Sequence, residues 1–201
     1  MLVKKRAMGE YQTNCYILDF DDFEIIIDSE VNSLNWIVEN VKNPVAVLLT
    51  HGHFDHMWDS YKIARKFNIP IYINKNDKIL LENDIFERGI EKYQPEFIVL
   101  LENNSEITLN KVKIQFHHFA GHSEGSSIIE IADSYFCGDV IFKNSIGRFD
   151  FPYSDSHKMK ASLEKALKLN EQFPIYSGHG EDTTIKDEKE NLQMWINKWI
   201  N

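Results

Sequence analysis

Four side chains that bind metal ions occur within six residues, about a quarter of the way along the chain. The segment reads His51-Gly52-His53-Phe54-Asp55-His56. Three imidazoles and a carboxylate crowded together would repel one another or stay unsatisfied in an apolar core. Imidazole nitrogen and carboxylate oxygen are ligands of zinc, iron and manganese. The spacing therefore predicts a metal site.

Three later segments combine a His or an Asp with glycine at the end of a predicted strand. They are Gly121-His122, Gly138-Asp139 and Gly178-His179-Gly180. Glycine allows a tight turn there and a close approach of the backbone to an ion. With the first segment they give seven candidate ligands: His51, His53, Asp55, His56, His122, Asp139 and His179. Seven exceed what one tetrahedral ion uses, so we expect two ions that share a bridging carboxylate.

The elements that must position these residues can be read from the apolar pattern. Val45–Leu49 ends just before the first cluster and predicts a strand buried on both faces, as in a parallel sheet. Upstream, Tyr16–Phe20 and Phe23–Asp28 predict a hairpin. Downstream, Lys75–Leu81 and Asp84–Tyr93 are predicted as helices.

The second half of the chain opens with predicted strands and closes with helices. The strands include Val112–His117, Ser127–Ile131 and Tyr135–Cys137, and the last helix is Ile185–Ile200. Strands followed by helices, twice over, predict two sheets packed face to face with helices outside. The absence of a repeat or a long linker favours a single domain over residues 1–201.

Composition excludes some classes of partner. The net charge of -9 argues against binding to a phosphate backbone, so no nucleic-acid partner is expected. No run of 18 apolar residues is present, which predicts no membrane span, and the N-terminal residues do not resemble a signal peptide. A cytoplasmic protein is therefore expected. Cys15 and Cys137 lie in strand-like runs and are predicted to be buried free thiols.

In order and spacing, the seven ligands resemble the metallo-β-lactamase superfamily, whose signature is H-x-H-x-D-H followed by a distal His, an Asp and a last His. The resemblance covers nearly the whole chain. It implies an α/β (α+β) fold, a four-layer αββα sandwich of two mixed β-sheets with helices on the outer faces. It also implies that one metal is held by His51, His53 and His122, the second by Asp55, His56 and His179, and that Asp139 bridges them.

Within the superfamily, the chain is most similar to the glyoxalase II group of hydroxyacylglutathione hydrolases, and especially to its short bacterial members. The likeness rests on Asn14-Cys15-Tyr16, on Ser145–Asp150 and on Ser177–Gly180. It departs from the family where Phe119-Ala120 and Ser123-Glu124 replace Thr-Pro pairs. The C-terminal helical domain of full-length glyoxalase II is expected to be lacking.

The resemblance implies a chemistry as well as a fold. Two divalent ions, zinc first and iron or manganese next, would activate a bridging hydroxide that attacks a small thioester such as S-lactoylglutathione. Asp55 would orient that hydroxide, and Arg148 matches a basic residue that holds the glutathione carboxylate in the family.

Other functions stay open from the sequence. A persulfide dioxygenase would use one iron, held by the equivalents of His51, His122 and Asp139. A hydrolase of another ester or of a phosphodiester would use the same two-metal centre. The acidic charge opposes a nuclease, and the full set of seven ligands opposes a non-catalytic binding module. The sequence leaves the oligomeric state open.

Overall fold

The computed structural model of the chain describes residues 1–198. The chain forms two compact units, of which the first spans Met1–Glu102 and the second begins at Asn103. The single domain over residues 1–201 stays a prediction.

The first unit contains a six-stranded mixed sheet. Its strands are β1 (Leu2–Met8), β2 (Thr13–Asp19), β3 (Glu24–Ile27), β4 (Pro44–Leu48), β5 (Ile71–Asn74) and β6 (Ile98–Leu101). Its helices are α1 (Ser33–Asn40), α2 (Phe54–Met57), α3 (Ser60–Phe67) and α4 (Lys78–Glu82). The sheet order follows the chain: β1, β2 and β3 are antiparallel, and β3 to β6 are parallel.

Helices α1 and α3 cover one face of this sheet. Ile17, Ile26 and Val47 from adjacent strands share one buried cluster with Ile37 of α1 and Ile63 of α3. Fully burying an aliphatic side chain of this size stabilises a fold by about 1.5–3 kcal/mol. The cluster therefore fixes the sheet whose strand ends carry the first four candidate ligands.

The second unit contains another six-stranded mixed sheet. The strands of the unit are β7 (Glu106–Leu109), β8 (Val112–His118), β9 (Ser127–Ile131), β10 (Ser134–Gly138), β11 (Ile141–Phe142), β12 (Ser145–Ile146), β13 (Pro174–Ser177) and β14 (Thr183–Thr184). Its helices are α5 (Ser156–Ala166) and α6 (Ile185–Lys198). The sheet order is β14-β13-β10-β9-β8-β7, in which β10 and β13 are parallel and the other pairs antiparallel.

Helices α5 and α6 pack on one face of the second sheet. Cys137 of β10 and Ile175 of β13 share a buried cluster with Met159 and Leu163 of α5 and with Leu192 of α6. Two mixed sheets, each with helices on a face, confirm the predicted fold class.

Some predicted elements differ from the structure. The helix predicted at Asp84–Tyr93 is wrong, because that segment is irregular. The side chain of Asp84 accepts hydrogen bonds from the backbone N–H groups of Arg88 and Gly89, at 2.9 and 2.5 Å, and this local turn competes with helix formation. Strand β1 was not predicted at all.

Of two other predicted helices, one has shifted bounds and the other agrees with the structure over the described residues. The one at Lys75–Leu81 starts as a 3₁₀ turn over Lys75–Asp77 before α4 begins. The one at Ile185–Ile200 is α6 as far as Lys198, and its last two positions lie outside the described residues. Across residues 1–198, the longest apolar helical stretch falls short of what a bilayer crossing requires.

Candidate metal centre

The first cluster, defined as His51, His53, Asp55 and His56, lies where parallel strands of the first sheet end. The loop after β4 carries His51 and His53, and α2 carries Asp55 and His56. The carboxyl ends of parallel strands lie at one edge of a sheet, and this is the usual place for ligand sites in such sheets. All four side chains are buried.

The ligand atoms of the first cluster are close to one another. His51 Nε2 and His53 Nδ1 are 3.1 Å apart, and Asp55 Oδ2 is 3.6 Å from His56 Nε2. The ligand atoms of His51 and His56 lie within 4.8 Å of each other. Four polar groups thus converge at one edge of the first sheet.

Asp28 orients His56 from behind. It directly follows β3, the strand parallel to β4, and its Oδ2 accepts a hydrogen bond from His56 Nδ1 at 2.8 Å. The same carboxylate accepts from the backbone N–H and the hydroxyl of Thr50, at 2.9 and 2.8 Å. A carboxylate bonded to one ring nitrogen fixes the tautomer and leaves Nε2 as the ligand atom.

The other residues of the loop are also held in place. The Thr13 hydroxyl donates to Asp55 Oδ2 at 2.9 Å. The backbone N–H of Gly52 donates to Asp77 Oδ2 at 2.8 Å, and a Cβ at Gly52 would lie 3.1 Å from the Asp77 carbonyl oxygen. This close approach explains why glycine separates the two histidines.

A buried glutamate lies near Asp55. Burial raises the pKa of Glu30 to about 7, and the charge of Asp55 acts in the same direction. One oxygen of Glu30 accepts from the backbone N–H of Val31 at 2.7 Å, and the other lies 3.4 Å from the Thr13 hydroxyl oxygen. Thr13 therefore contacts both carboxylates.

The second cluster, defined as His122, Asp139 and His179, occupies one edge of the second sheet. Asp139 follows β10 and His179 follows β13, and these two strands are parallel. His122 precedes β9, which is antiparallel to β10 and therefore begins at the same edge. Asp139 Oδ2 is 3.5 Å from His122 Nε2 and 3.4 Å from His179 Nε2. Asp139 therefore lies between the two histidines of this cluster, and its role as a bridging ligand stays a prediction.

Glycines shape this second edge. Gly121 has φ +144°, and a Cβ there would lie 2.4 Å from the Met159 backbone. A Cβ at Gly147 would lie 1.7 Å from the carbonyl oxygen of Asp139. No side chain fits at Gly147, so the chain can pass directly against the backbone of Asp139.

Arg148 contributes two different groups. Its carbonyl oxygen lies 2.7 Å from His122 Nδ1 and accepts the hydrogen bond that orients this ring. Its guanidinium forms a bidentate pair with Asp150, at 2.9 and 3.0 Å, and lies 4.3 Å from the Phe151 ring centroid. The backbone role was not foreseen from the sequence, and the predicted contact with substrate stays a prediction.

The donor atoms fit divalent cations of the zinc, iron and manganese type. Two ligands about 2.1 Å from one tetrahedral ion lie about 3.4 Å apart. The separations within the clusters are 3.1, 3.6, 3.5 and 3.4 Å. Nitrogen and carboxylate donors without thiolate match these metals, and three of the histidines carry a hydrogen bond on the ring nitrogen behind the ligand atom.

Sequence reasoning missed the residues that orient the ligands. Asp28 was assigned only to a strand and Thr13 to no element, although an acidic residue at the end of a buried apolar strand was a usable signal for Asp28. Thr13 carried no such signal, because its contact with Asp55 depends on the fold bringing residues 42 positions apart together.

Comparison with known proteins identifies a family whose pattern this chain matches. The family pattern described as the metallo-beta-lactamase superfamily matches residues 8–179. The probable metallo-hydrolase YqgX of Bacillus subtilis (strain 168) is 32% identical over 198 residues, which cover 93% of this chain and 94% of the relative. The hydroxyacylglutathione hydrolase GloC of Haemophilus influenzae is 31% identical over 193 residues, which cover 89% of this chain and 91% of the relative.

Solved structures are similar over almost the whole chain. The B3 metallo-beta-lactamase BLEG-1 has a TM-score of 0.86 and 32% identity, with 94% of this chain and 97% of that chain covered. TTHA1623, solved in a di-iron-bound form, has a TM-score of 0.81 and 29% identity, with 94% and 98% covered. Both likenesses support the fold class described above.

Proposed function

Since the chain belongs to the metallo-beta-lactamase superfamily of metal-dependent hydrolases, we propose that it hydrolyses a small thioester such as S-lactoylglutathione. The observation that carries the proposal is the set of seven His and Asp side chains, which are concentrated at one edge of each sheet. The similarity to GloC favours a hydroxyacyl thioester among the substrates of metallo-hydrolases.

The proposal keeps the predicted ligand assignment. His51, His53 and His122 would hold one divalent ion, Asp55, His56 and His179 the second, and Asp139 would bridge them. We expect zinc first. Iron stays a second candidate for the bound metal, because the similar protein TTHA1623 was solved in a di-iron-bound form. Such ions, when bound, lower the pKa of a water molecule and polarise a carbonyl group.

The residues of the chain position the reacting groups. Thr13 donates to Asp55 Oδ2, so it sets the direction in which the other Asp55 oxygen accepts a hydrogen bond from the attacking water. Asp28 and the carbonyl of Arg148 fix the rings of His56 and His122. These contacts keep the ligands in place before the substrate arrives.

A thioester suits a site whose described motifs offer no dedicated general acid. A thiol has a pKa of about 8.5, so a thiolate leaves without full protonation. An amide would need a proton on its leaving nitrogen. Arg148 stays our candidate for binding a carboxylate of the substrate. Because its guanidinium pairs with Asp150, it would have to exchange the Asp150 carboxylate for that of the substrate.

Steady-state hydrolysis tests the proposal. Purified protein loaded with zinc, iron or manganese would be assayed with S-lactoylglutathione, with other thioesters and with a phosphodiester. We expect thioester turnover that is lost on chelation and restored by the metal. No thioester turnover at any metal loading would contradict the proposal. Oxygen consumption with glutathione persulfide would instead support the dioxygenase alternative.

A further inference from the structure

A cavity of about 170 Å³ lies within the first unit beside helix α2, the helix that carries Asp55 and His56. This volume is smaller than a typical site for a whole ligand, so the cavity suits one group of a larger substrate. Phe54, which lies between the ligands His53 and Asp55 in sequence, forms part of the wall. The side chains that give the cavity its chemistry are Tyr11, Phe54, Trp58, Glu10, Glu30 and Arg88.

Arg88 is the cation of this cavity. Its guanidinium carbon lies 5.2 Å from the Phe54 ring centroid and 5.6 Å from that of Tyr11. Among the described residues it forms no ion pair, whereas Arg65 pairs with Glu91 and Arg148 pairs with Asp150. Cation–π contacts with two rings hold the guanidinium but leave its hydrogen-bond donors for another group.

The backbone around Arg88 is fixed despite its irregular conformation. The Phe86 ring packs 5.3 Å from the His53 ring and 5.5 Å from the Phe54 ring. On the other side of Arg88, Glu91 binds Arg65 of α3 through both carboxylate oxygens, at 2.9 and 3.1 Å. Arg88 therefore lies in a segment attached both to a candidate ligand and to a core helix.

The charges of the cavity narrow the choice of ligand. Glu30 accepts a hydrogen bond from the backbone N–H of Val31 and lies 3.4 Å from the Thr13 hydroxyl, and Glu10 is exposed. A doubly charged phosphate would be repelled by these two acidic side chains more strongly than a carboxylate. A cationic group would compete with Arg88 for the rings of Tyr11 and Phe54. A planar carboxylate matches the guanidinium fork.

We propose that Arg88 binds a carboxylate of the thioester substrate and thereby sets a preference for anionic thiol carriers. This inference rests on the proposed thioester hydrolysis and specifies its substrate class. It assigns a specificity role to a residue that the sequence motifs did not single out.

Three lactoyl thioesters of similar size test the inference, made from 3-mercaptopropionate, 1-propanethiol and thiocholine. They differ in charge at the thiol carrier: anionic, neutral and cationic. We expect the metal-loaded wild type to prefer the anionic ester. Arg88→Ala should lower kcat/KM for that ester by about 10- to 100-fold, mostly through KM, and change the neutral ester by less than about 2-fold. Arg88→Lys should recover part of the loss.

Arg6→Ala is the matched control, because Arg6 is exposed on β1 and its loss removes the same charge. It should leave the preference unchanged. If Arg88→Ala keeps the wild-type ratio of kcat/KM between the anionic and the neutral ester, the role of Arg88 is overturned and the proposed function is not. Preference of the wild type for the thiocholine ester would overturn it as well. Turnover of S-lactoylglutathione with no hydrolysis of these three esters would overturn this inference alone, whereas no turnover of any thioester would overturn the proposed function as well.

Discussion

Asp28 Oδ2 lies 2.8 Å from Nδ1 of His56, and both side chains are almost completely buried. The pairing of β3 with β4 brings them together, since Asp28 follows one strand and the loop leading to His56 follows the other. A carboxylate behind a ligand histidine raises the basicity of the ring and fixes its orientation. The candidate metal centre therefore depends on residues outside the metal-binding motif.

We predict that Asp28→Asn weakens metal binding by about 10- to 100-fold. Asparagine can still accept from the Thr50 N–H through its oxygen, but its NH₂ group cannot accept from His56. Competition with a chromophoric chelator measures the affinity, and thermal unfolding of the metal-free protein measures the effect on the fold. Asp22→Asn, at an exposed turn, is the control with the same charge change. Equal affinity of Asp28→Asn and wild type would contradict the role of Asp28.

Thr13→Val should reduce kcat about 2- to 10-fold without loss of bound metal. The substitution removes the hydroxyl that donates to Asp55 Oδ2 at 2.9 Å, and one such hydrogen bond contributes about 0.5–1.5 kcal/mol. Thr13→Ser, which keeps the hydroxyl, should restore kcat. A Thr13→Ser variant as slow as Thr13→Val would show that the methyl contact, rather than the hydrogen bond, is what matters.

Gly147→Ala should destabilise the protein by about 3 kcal/mol and reduce metal binding. The new methyl group would lie 1.7 Å from the Asp139 carbonyl oxygen, so the backbone that carries Asp139 would have to move. Denaturant unfolding and metal analysis measure the two effects. Gly89→Ala is a useful comparison, because Gly89 has φ +77° and open space around it. The loss of unfolding free energy in Gly89→Ala measures backbone strain without a steric clash. We expect this variant to keep its bound metal.

Both cysteines should be unreactive in the folded protein. Burial raises the pKa of Cys15 to about 12 and that of Cys137 still further, so neither forms thiolate at pH 8. A chromogenic disulfide reagent should label no thiol in native protein and two after unfolding. Since an unfolded thiol ionises near pH 8.5, these groups favour unfolding as the pH rises above that value. Fast labelling of either native thiol would contradict the buried positions.

The sequence singled out the seven candidate ligands because their signals are local. The first cluster occupies six consecutive positions, and the later His and Asp ligands each adjoin glycine at a strand end. Gly147 shows how specific such a glycine is, since its missing side chain makes room for the Asp139 backbone. Local patterns of this kind can be recognised without knowledge of the tertiary structure.

The groups that support the ligands could not be predicted in the same way. Thr13 meets Asp55, and the carbonyl of Arg148 meets His122, through contacts between residues distant in sequence. The helix predicted around Arg88 does not form, and the reason is local: the Asp84 carboxylate accepts hydrogen bonds from the backbone N–H groups of Arg88 and Gly89. As a result, the cavity that contains Arg88 emerged only from the structure.

Metal stoichiometry combined with thioester turnover in Asp139→Asn tests the central claim most directly. Asp139 Oδ2 lies 3.5 Å from Nε2 of His122 and 3.4 Å from Nε2 of His179, separations that suit a carboxylate sharing an ion with these rings. We predict two divalent ions per wild-type chain, with weaker binding of at least one ion and loss of most activity in Asp139→Asn. A variant that retains two ions and full turnover, or a wild type that binds a single iron and hydrolyses no thioester, would contradict the account.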